Sequence, residues 1–260
     1  MRIPASIGAF FVAAILLSGA ACAQDQEKVA TAKPGDMRLF ISNGLREPFK
    51  TVRAEAEKLI GRPFTVEYGA SRGMQTQIEA GQAFDIAILT PDVIADMASK
   101  GKVVPGSSTD LAHVPVAIGV RGLSKIDIGT PAALKAALLG ARKVGFSAIG
   151  ASRPTVDNTF SKLGVGDVLK DKIVGTPPTH DTTPMPPEGQ YDIVINLVSE
   201  ILPLTGGWSY AGNVPKELQV PVTMSAGIGT QGDAVAARKL ITFLQGPAIE
   251  AGLKSNNMSR

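Results

Sequence analysis

A serine and an arginine stand at the start of an expected helix in the segment VEYGASRGMQTQIEAGQAFDIAIL, residues 66–89. The segment begins as a strand, becomes helical near Ser71, and closes on a second apolar strand. A helix start presents amide N–H groups without intrahelical acceptors and the positive end of the helix dipole, which together favour an anion. Ser71 can cap this helix or donate to a ligand, and Gly69 and Gly73 let the backbone approach one closely.

Two other loops repeat this arrangement of small and polar residues before a helix. Both are short, flexible and able to present backbone amides, and they consist of Ser42-Asn43-Gly44 and of residues 147–152, which include Gly150, Ala151 and Ser152. Arginines lie within one or two residues of the three loops: Arg46, Arg72 and Arg153. A planar guanidinium suits a carboxylate held by two parallel hydrogen bonds, so we expect an arginine clamp on a small organic acid or another oxyanion. The alternative is that these arginines point to solvent beside the helix starts.

The residue types for most other chemistry are scarce. The only cysteine is Cys22 and the histidines are His113 and His180, which leaves no thiolate or H-E-x-x-H metal site and no disulfide. The 26 basic and 23 acidic residues are balanced and form no Lys/Arg blocks, so nothing indicates binding to nucleic acid. We therefore expect no cofactor, no metal and no nucleic-acid partner.

The N-terminus has the pattern of a secretory signal. A positive start, an apolar run over residues 7–17 and the Ala21-Cys22-Ala23 cleavage pattern predict removal of residues 1–23. Residues 24–36 are polar and are expected to form a disordered leader. A lipid anchor on Cys22 is the alternative to soluble export.

Strand and helix patterns alternate along the rest of the chain. Three β-α units cover residues 37–100, with Gly61 stopping the first helix and Thr90-Pro91 starting the third. Further strands are expected at 114–120, 143–147, 191–196 and 220–226, with helices at 130–139, 154–163, 233–244 and 247–253. The pattern predicts an α/β fold with parallel sheets covered by helices, in two lobes with a cleft between them. The proline-rich segment 175–189 is expected to be a loop, either functional or solvated.

The chain resembles the periplasmic molybdate-binding protein family of ABC-transporter substrate-binding proteins. The resemblance rests on Tyr68-Gly-Ala-Ser71, Gln77-Ile-Glu-Ala-Gly81 and Asp85, and on FISNGLREPFK, SEILPLTGG, VTMSAGIG and LITFLQGPA. The last motifs are most similar to a branch that also includes an aconitate isomerase. The resemblance covers most of the exported chain.

This resemblance implies a two-lobe clamshell with the type II periplasmic-binding fold, each lobe a mostly parallel sheet flanked by helices. Lobe 1 would comprise residues 37–114 and 226–260, and lobe 2 residues 115–225, with hinges near 113–120 and 220–226. The ligand residues implied by the resemblance are those of the three loops and Asn196, and Arg72 and Arg153 are the candidates that the sequence itself adds for the clamp. Asn196 falls where the family has a tyrosine, and the first-loop serine is replaced by Gly44 or displaced to Ser42, so the ligand need not be molybdate.

The resemblance implies a monomeric periplasmic binder that captures a small anion for an ABC permease in the inner membrane. Asp85 is then expected to be structural, accepting loop amide protons, and Glu79 to be surface charge. The alternative is an isomerase of a small tricarboxylate, which needs a base such as His180 beside Asp181, while His113 would be structural. A scaffold with a vestigial cleft is a third hypothesis.

Overall fold

The computed structural model describes residues 34–121, 126–176 and 192–260. The expected signal segment, Cys22, and His180 with Asp181 lie outside these ranges. In chain order the strands are β1 Met37–Ser42, β2 Phe64–Gly69, β3 Ile86–Leu89, β4 Thr109–His113, β5 Val116–Arg121, β6 Val144–Ser147, β7 Ile173–Thr176, β8 Ile193–Leu197, β9 Trp208–Asn213 and β10 Thr223–Ile228. The helices are α1 Arg46–Ile60, α2 Ser71–Glu79, α3 Pro91–Ser99, α4 Pro131–Gly140, α5 Arg153–Leu163, α6 Gly166–Leu169, α7 Val198–Ile201, α8 Ala234–Gln245 and α9 Glu250–Ser255, with 3-10 turns at Asn43–Leu45 and Pro247–Ile249.

The described strands form two five-stranded sheets, in the orders β2-β1-β3-β10-β4 and β7-β6-β8-β5-β9. Each sheet contains one reversed strand: β10 is antiparallel to β3 and β4, and β5 is antiparallel to β8 and β9. The remaining pairings are parallel. Each reversed strand enters its sheet from the other one without a crossover helix, so parallel pairing is not imposed on it. The prediction of two α/β lobes is confirmed, and their sheets are mixed: four of the five described strands in each sheet run in one direction and the fifth is reversed.

Helices cover both faces of the first sheet because its central strands are apolar on both sides. Leu39 and Ile41 of β1 pack with Phe49 of α1 on one face. Phe40, between them in sequence, packs with Met74 of α2 on the other face. Successive side chains of a strand point to opposite faces, so a fully apolar strand must be covered twice.

Capping and turn residues set the end of α1 and the starts of α3 and α4 where the sequence predicts them. Gly61 terminates α1 with φ of 83°, a left-handed conformation that favours glycine, and its amide bonds to the Glu57 carbonyl at 2.8 Å. Thr90-Pro91 and Thr130-Pro131 start α3 and α4 as expected.

Other predicted boundaries were displaced, and some elements were missed. The strand expected at 220–226 is found at 223–228, because Pro221 cannot donate to a sheet ladder. The structure adds β4, β7 and β9. The edge strands β4 and β9 lack a simple apolar pattern, since Asp110, His113 and most of β9 are at least partly exposed. None of the helices in the described ranges is long and apolar enough to cross a membrane.

Candidate functional site

A cavity of about 250 Å³ lies between the two lobes. Its walls come from the starts of α2 and α3 on the first lobe, from the loop before α5 on the second, and from the segment that reconnects the lobes. The lining residues are Ser71, Arg72, Thr90, Pro91, Asp92, Ile149, Gly150, Ala151, Pro154, Val220, Pro221, Val222 and Thr223. The structure therefore brings Ser71, Arg72, Gly150 and Ala151, all predicted from the sequence, to one cavity.

The start of α2 follows directly from the end of β2 at Gly69. Ala70 is the capping residue and has no side-chain cap bond, so Ser71 is the first residue of the helix instead of its cap. The buried Ser71 hydroxyl accepts a hydrogen bond from the Thr90 amide at 3.2 Å. This bond joins the starts of α2 and α3 and leaves the hydroxyl hydrogen available to an acceptor in the cavity.

The start of α3 supplies three cavity residues that were not expected as ligand residues: Thr90, Pro91 and Asp92. Thr90 makes no side-chain cap bond, and Pro91 occupies the first helical position. Asp92 follows and pairs with Arg72, with 2.5 Å between Oδ2 and Nη2. A carboxylate in the first turn is favourable against the helix dipole. Thr90-Pro91 follows the carboxyl end of β3, which lies next to β1 in the sheet. Ligands of α/β folds bind beyond such strand ends, so this position could have identified the loop as part of the site.

The second-lobe wall depends on a glycine. An alanine Cβ at Gly150 would lie 2.7 Å from Ser147 Cβ and 2.8 Å from Ser147 Oγ, closer than real contacts allow. Only glycine lets this loop fold back over the end of β6. That turn brings Ile149, Gly150 and Ala151 to the cavity surface.

Ser152 and Asn196 support this loop from behind. Both are buried, and the Ser152 hydroxyl donates to Asn196 Oδ1 at 3.1 Å. The same oxygen accepts the Leu197 amide at 2.9 Å. Neither residue lines the cavity. Asn196 Nδ2 is buried without a hydrogen-bond partner among the described residues.

Ser42, Asn43 and Gly44 lie at a direct contact between the lobes and do not line the cavity. Asn43 Nδ2 donates to Glu200 Oε1 on α7 at 3.3 Å, and Ser42 Oγ accepts the Gly44 amide at 3.3 Å. A Cβ on Gly44 would lie 3.3 Å from Leu197 Cδ1 of the second lobe. The first predicted loop is therefore packed against the second lobe.

Of the three arginines, only Arg72 lines the cavity. The Nε of Arg153 donates to Asp157 Oδ1 at 2.7 Å, and its guanidinium lies 5.3 Å from the centre of the Phe146 ring. The guanidinium of Arg46 lies 5.0 Å from the centre of the Tyr68 ring. Because neither Arg46 nor Arg153 lines the cavity, Arg72 is the remaining candidate for the arginine clamp.

The acidic residues outside the cavity have structural contacts. Asp85 accepts the amides of Arg38 and Asp233, each at 2.7 Å, which confirms its predicted structural role. Glu79 pairs with Lys100 at 2.7 Å, and the Lys100 ammonium lowers the pKa of this carboxyl. No group of three His, Cys, Asp or Glu side chains within the described ranges could hold a metal ion.

A second cavity of about 350 Å³ lies on the first lobe, between the start of β4 and α8. Its wall includes Ser107, Thr109 and Arg238. The Ser107 hydroxyl already has hydrogen-bond partners within the protein, because it donates to the Val104 carbonyl and accepts a hydrogen bond from the Ile228 amide. The smaller cavity is the stronger candidate, because it alone of the two is built from both lobes and from helix starts.

A family model described as bacterial extracellular solute-binding protein matches residues 37–257. The molybdate-binding protein ModA of Azotobacter vinelandii is 24% identical over 236 residues, covering 86% of this chain and 90% of that protein. The solved periplasmic molybdate-binding protein of the same organism matches with a TM-score of 0.72 at 16% identity, covering 86% of this chain and 99% of that one. PEB3 of Campylobacter jejuni, solved with L-phospholactate bound, matches with a TM-score of 0.63 at 15% identity, covering 86% of this chain and 100% of that one.

Proposed function

The chain belongs to the family of bacterial extracellular solute-binding proteins, and on that premise we propose that it captures a small anion between its lobes for an ABC importer. The observation that carries the proposal is the interlobe cavity, where the uncapped starts of α2 and α3 face the loop at Gly150. Amides at a helix start bind anions without any charged side chain. At about 250 Å³ the cavity suits a ligand smaller than a drug-sized molecule.

The proposed ligand residues fall into two groups according to their contacts. Ser71, Arg72, Gly150 and Ala151 would contact the anion directly, because they line the cavity. The others would shape the site from outside it, through the lobe contact or the supporting loop: Ser42, Asn43, Gly44, Ser152, Arg153 and Asn196. An organic acid or an oxyanion fits this arrangement, and the similar proteins that carry molybdate or L-phospholactate in their names support an anion.

Lobe closure would occur about the two connections between the sheets. The chain leaves β4 at His113 and enters β5 at Val116, then leaves β9 at Asn213 and enters β10 at Thr223. We propose residues 37–114 and 223–260 as lobe 1 and 115–222 as lobe 2, which moves the boundary expected between 225 and 226 to the start of β10. Because β10 pairs in the first sheet from Thr223, we place the second hinge before this residue.

The family is extracellular, and we propose export by removal of residues 1–23, a periplasmic location and a monomeric state. The partner would be a permease of the inner membrane. These assignments rest on the N-terminal pattern and on the family. Purification from periplasmic extract, followed by mass measurement of the intact chain, tests both the cleavage site and a lipid on Cys22.

The family and the similar proteins are binders, so the isomerase alternative is not favoured. His113 Nδ1 lies 3.1 Å from Thr223 Oγ1, at the pairing of β4 with β10. His113 does not line the cavity. Incubation with cis- or trans-aconitate at substoichiometric protein, followed by NMR, tests for turnover. Conversion would overturn the assignment as a binder.

Thermal unfolding of the exported protein against a panel of organic acids and oxyanions tests the function. A ligand at 100 times its dissociation constant adds about 2.7 kcal/mol of stability. Arg72→Ala should weaken binding of the stabilising anion by about ten- to hundredfold, the value of one charge-assisted hydrogen bond. Arg62→Ala is the matched control, because this arginine is also ion-paired, at 3.0 Å to Asp233, but lies outside the cavity. A panel without any stabilising anion would refute the proposal, and unchanged affinity in Arg72→Ala would refute the arginine clamp.

A further inference from the structure

The charges in the interlobe cavity are one positive and one negative group, both on the first lobe. Of the described residues that line it, only Arg72 and Asp92 are charged. Their side chains are 55% and 58% exposed, so a ligand in the cavity can reach both. A wall of this kind has no net charge, although it contains a strong donor and a strong acceptor.

The opposite wall is largely hydrocarbon. The second lobe presents Ile149, Ala151 and Pro154, and the connecting segment adds Val220 and Val222. An inorganic tetrahedral oxyanion carries acceptor oxygens on every side, and those that face these side chains would lose water without gaining a donor from them. A ligand with one polar end and one short apolar end avoids this cost.

Asp92 adds a second requirement, because an ionised carboxylate only accepts hydrogen bonds. An anion without any O–H or N–H group also offers only acceptors, so it would be repelled by Asp92. A hydroxyl or ammonium group on the ligand would instead donate to Asp92 while the ligand carboxylate meets Arg72. Because Arg72 and Asp92 are directly ion-paired, they lie close enough for two groups on neighbouring carbons of one ligand to meet both.

We infer that the ligand is a small carboxylic acid with a hydroxyl or ammonium group on carbon 2 and a short apolar chain. This inference rests on the proposed function, since it specifies the ligand of the same cavity. Arg72 selects the carboxylate, Asp92 selects the donor, and the second-lobe wall selects the apolar chain.

Titration calorimetry with matched acids tests the ligand class. Propionate, lactate and alanine share a three-carbon chain and differ only in the substituent on carbon 2. Lactate or alanine should bind at least about tenfold more tightly than propionate, the value of one hydrogen bond to a charged group. The stronger of the two identifies the donor as hydroxyl or ammonium. Equal affinity of all three acids, or tighter binding of sulfate or molybdate than of any organic acid, overturns the inference.

Asp92→Asn separates recognition from folding. The variant should weaken binding of the preferred acid and strengthen binding of propionate, because the repulsion is removed and Arg72 loses its competing partner. If Asp92 had only a structural role, Asp92→Asn would weaken the binding of both acids. Glu47→Gln is the matched control, since Glu47 is also the second residue of its helix and is ion-paired, at 3.1 Å to Lys50, outside the cavity. Equal losses for both acids in Asp92→Asn refute the role of Asp92.

The outcome also distinguishes this inference from the proposed function. Binding of acids without preference for a substituent on carbon 2 contradicts the inference alone. Binding of none of the organic acids or oxyanions contradicts the proposed function, and the inference falls with it.

Discussion

Replacing Gly150 by alanine would place a methyl group 2.7 Å from Ser147 Cβ, at the point where the second-lobe loop folds over β6. An ordinary contact begins at 3.4 Å, so the two segments must separate by about 0.7 Å (3.4 − 2.7). Ser147 is the last residue of a buried strand, which limits how far it can move. Overpacking of this kind typically costs about 1–3 kcal/mol.

This cost should be visible in both stability and binding. For a chain of this size, 1 kcal/mol lowers the melting temperature by roughly 2–4 °C, so Gly150→Ala should lower it by roughly 2–12 °C. Binding of the anion should weaken as well, because Ile149 and Ala151 move with the loop. Scanning calorimetry measures the first effect, and titration calorimetry with the stabilising anion of the panel measures the second.

Two further variants make the reasoning refutable. Gly140→Ala is the control: no atom lies within 4 Å of its added Cβ, and alanine favours the end of α4, so stability should stay level or rise by about 0.4–1 kcal/mol. In Ser147→Gly the opposing Cβ and hydroxyl are absent, so adding Gly150→Ala should cost little. A Gly150→Ala protein that melts and binds like the parent, or that loses equal stability in the Ser147→Gly background, would show that this contact does not shape the loop.

Three other substitutions test the framework around the site. Asp192→Asn removes a buried carboxylate whose hydrogen bonds from Arg142 lower its pKa below the ordinary 3.8. Because the pKa is lower in the folded protein, the ionised carboxylate stabilises the fold fully above pH 3.8, and this stabilisation is lost as the pH falls through the pKa of the folded state. Urea unfolding should therefore give a difference of about 1–3 kcal/mol at pH 7 that shrinks below pH 3.8, and a pH-independent difference would contradict this assignment. Gly61→Ala meets no atom within 4 Å but must adopt φ of 83°, so a loss of about 1 kcal/mol in thermal unfolding is expected, whereas no loss would refute the conformational argument. Asp233→Ala removes the side chain that accepts the amides of Val235 and Ala236 at the start of α8, and should cost about 0.5–2 kcal/mol; Asp233→Asn, which keeps the acceptor, should cost less, and equal costs would exclude capping as the cause.

Local patterns predicted much of the first lobe. The apolar runs at β1 and β3, the glycine after α1 and Thr90-Pro91 before α3 are local signals whose meaning does not depend on distant residues. The mixed order of the sheets was harder to predict from the sequence. The neighbours of β10 are residues 86–89 and 109–113, which are more than 100 residues earlier in the chain. Edge strands such as β9 are partly exposed and lack the alternation that marks a half-buried strand.

The sequence by itself determined the α/β alternation and the presence of small, polar loops before helices. Only the tertiary structure decided which loops share a cavity: it joined the α2 start with the loop at Gly150 and packed Asn43 against Glu200 instead. It also held Arg153 on Asp157 and placed Asp92 beside Arg72. The physical reason is that secondary structure follows from nearby residues, whereas the direction and partner of a long charged side chain depend on which distant segments the fold places beside it.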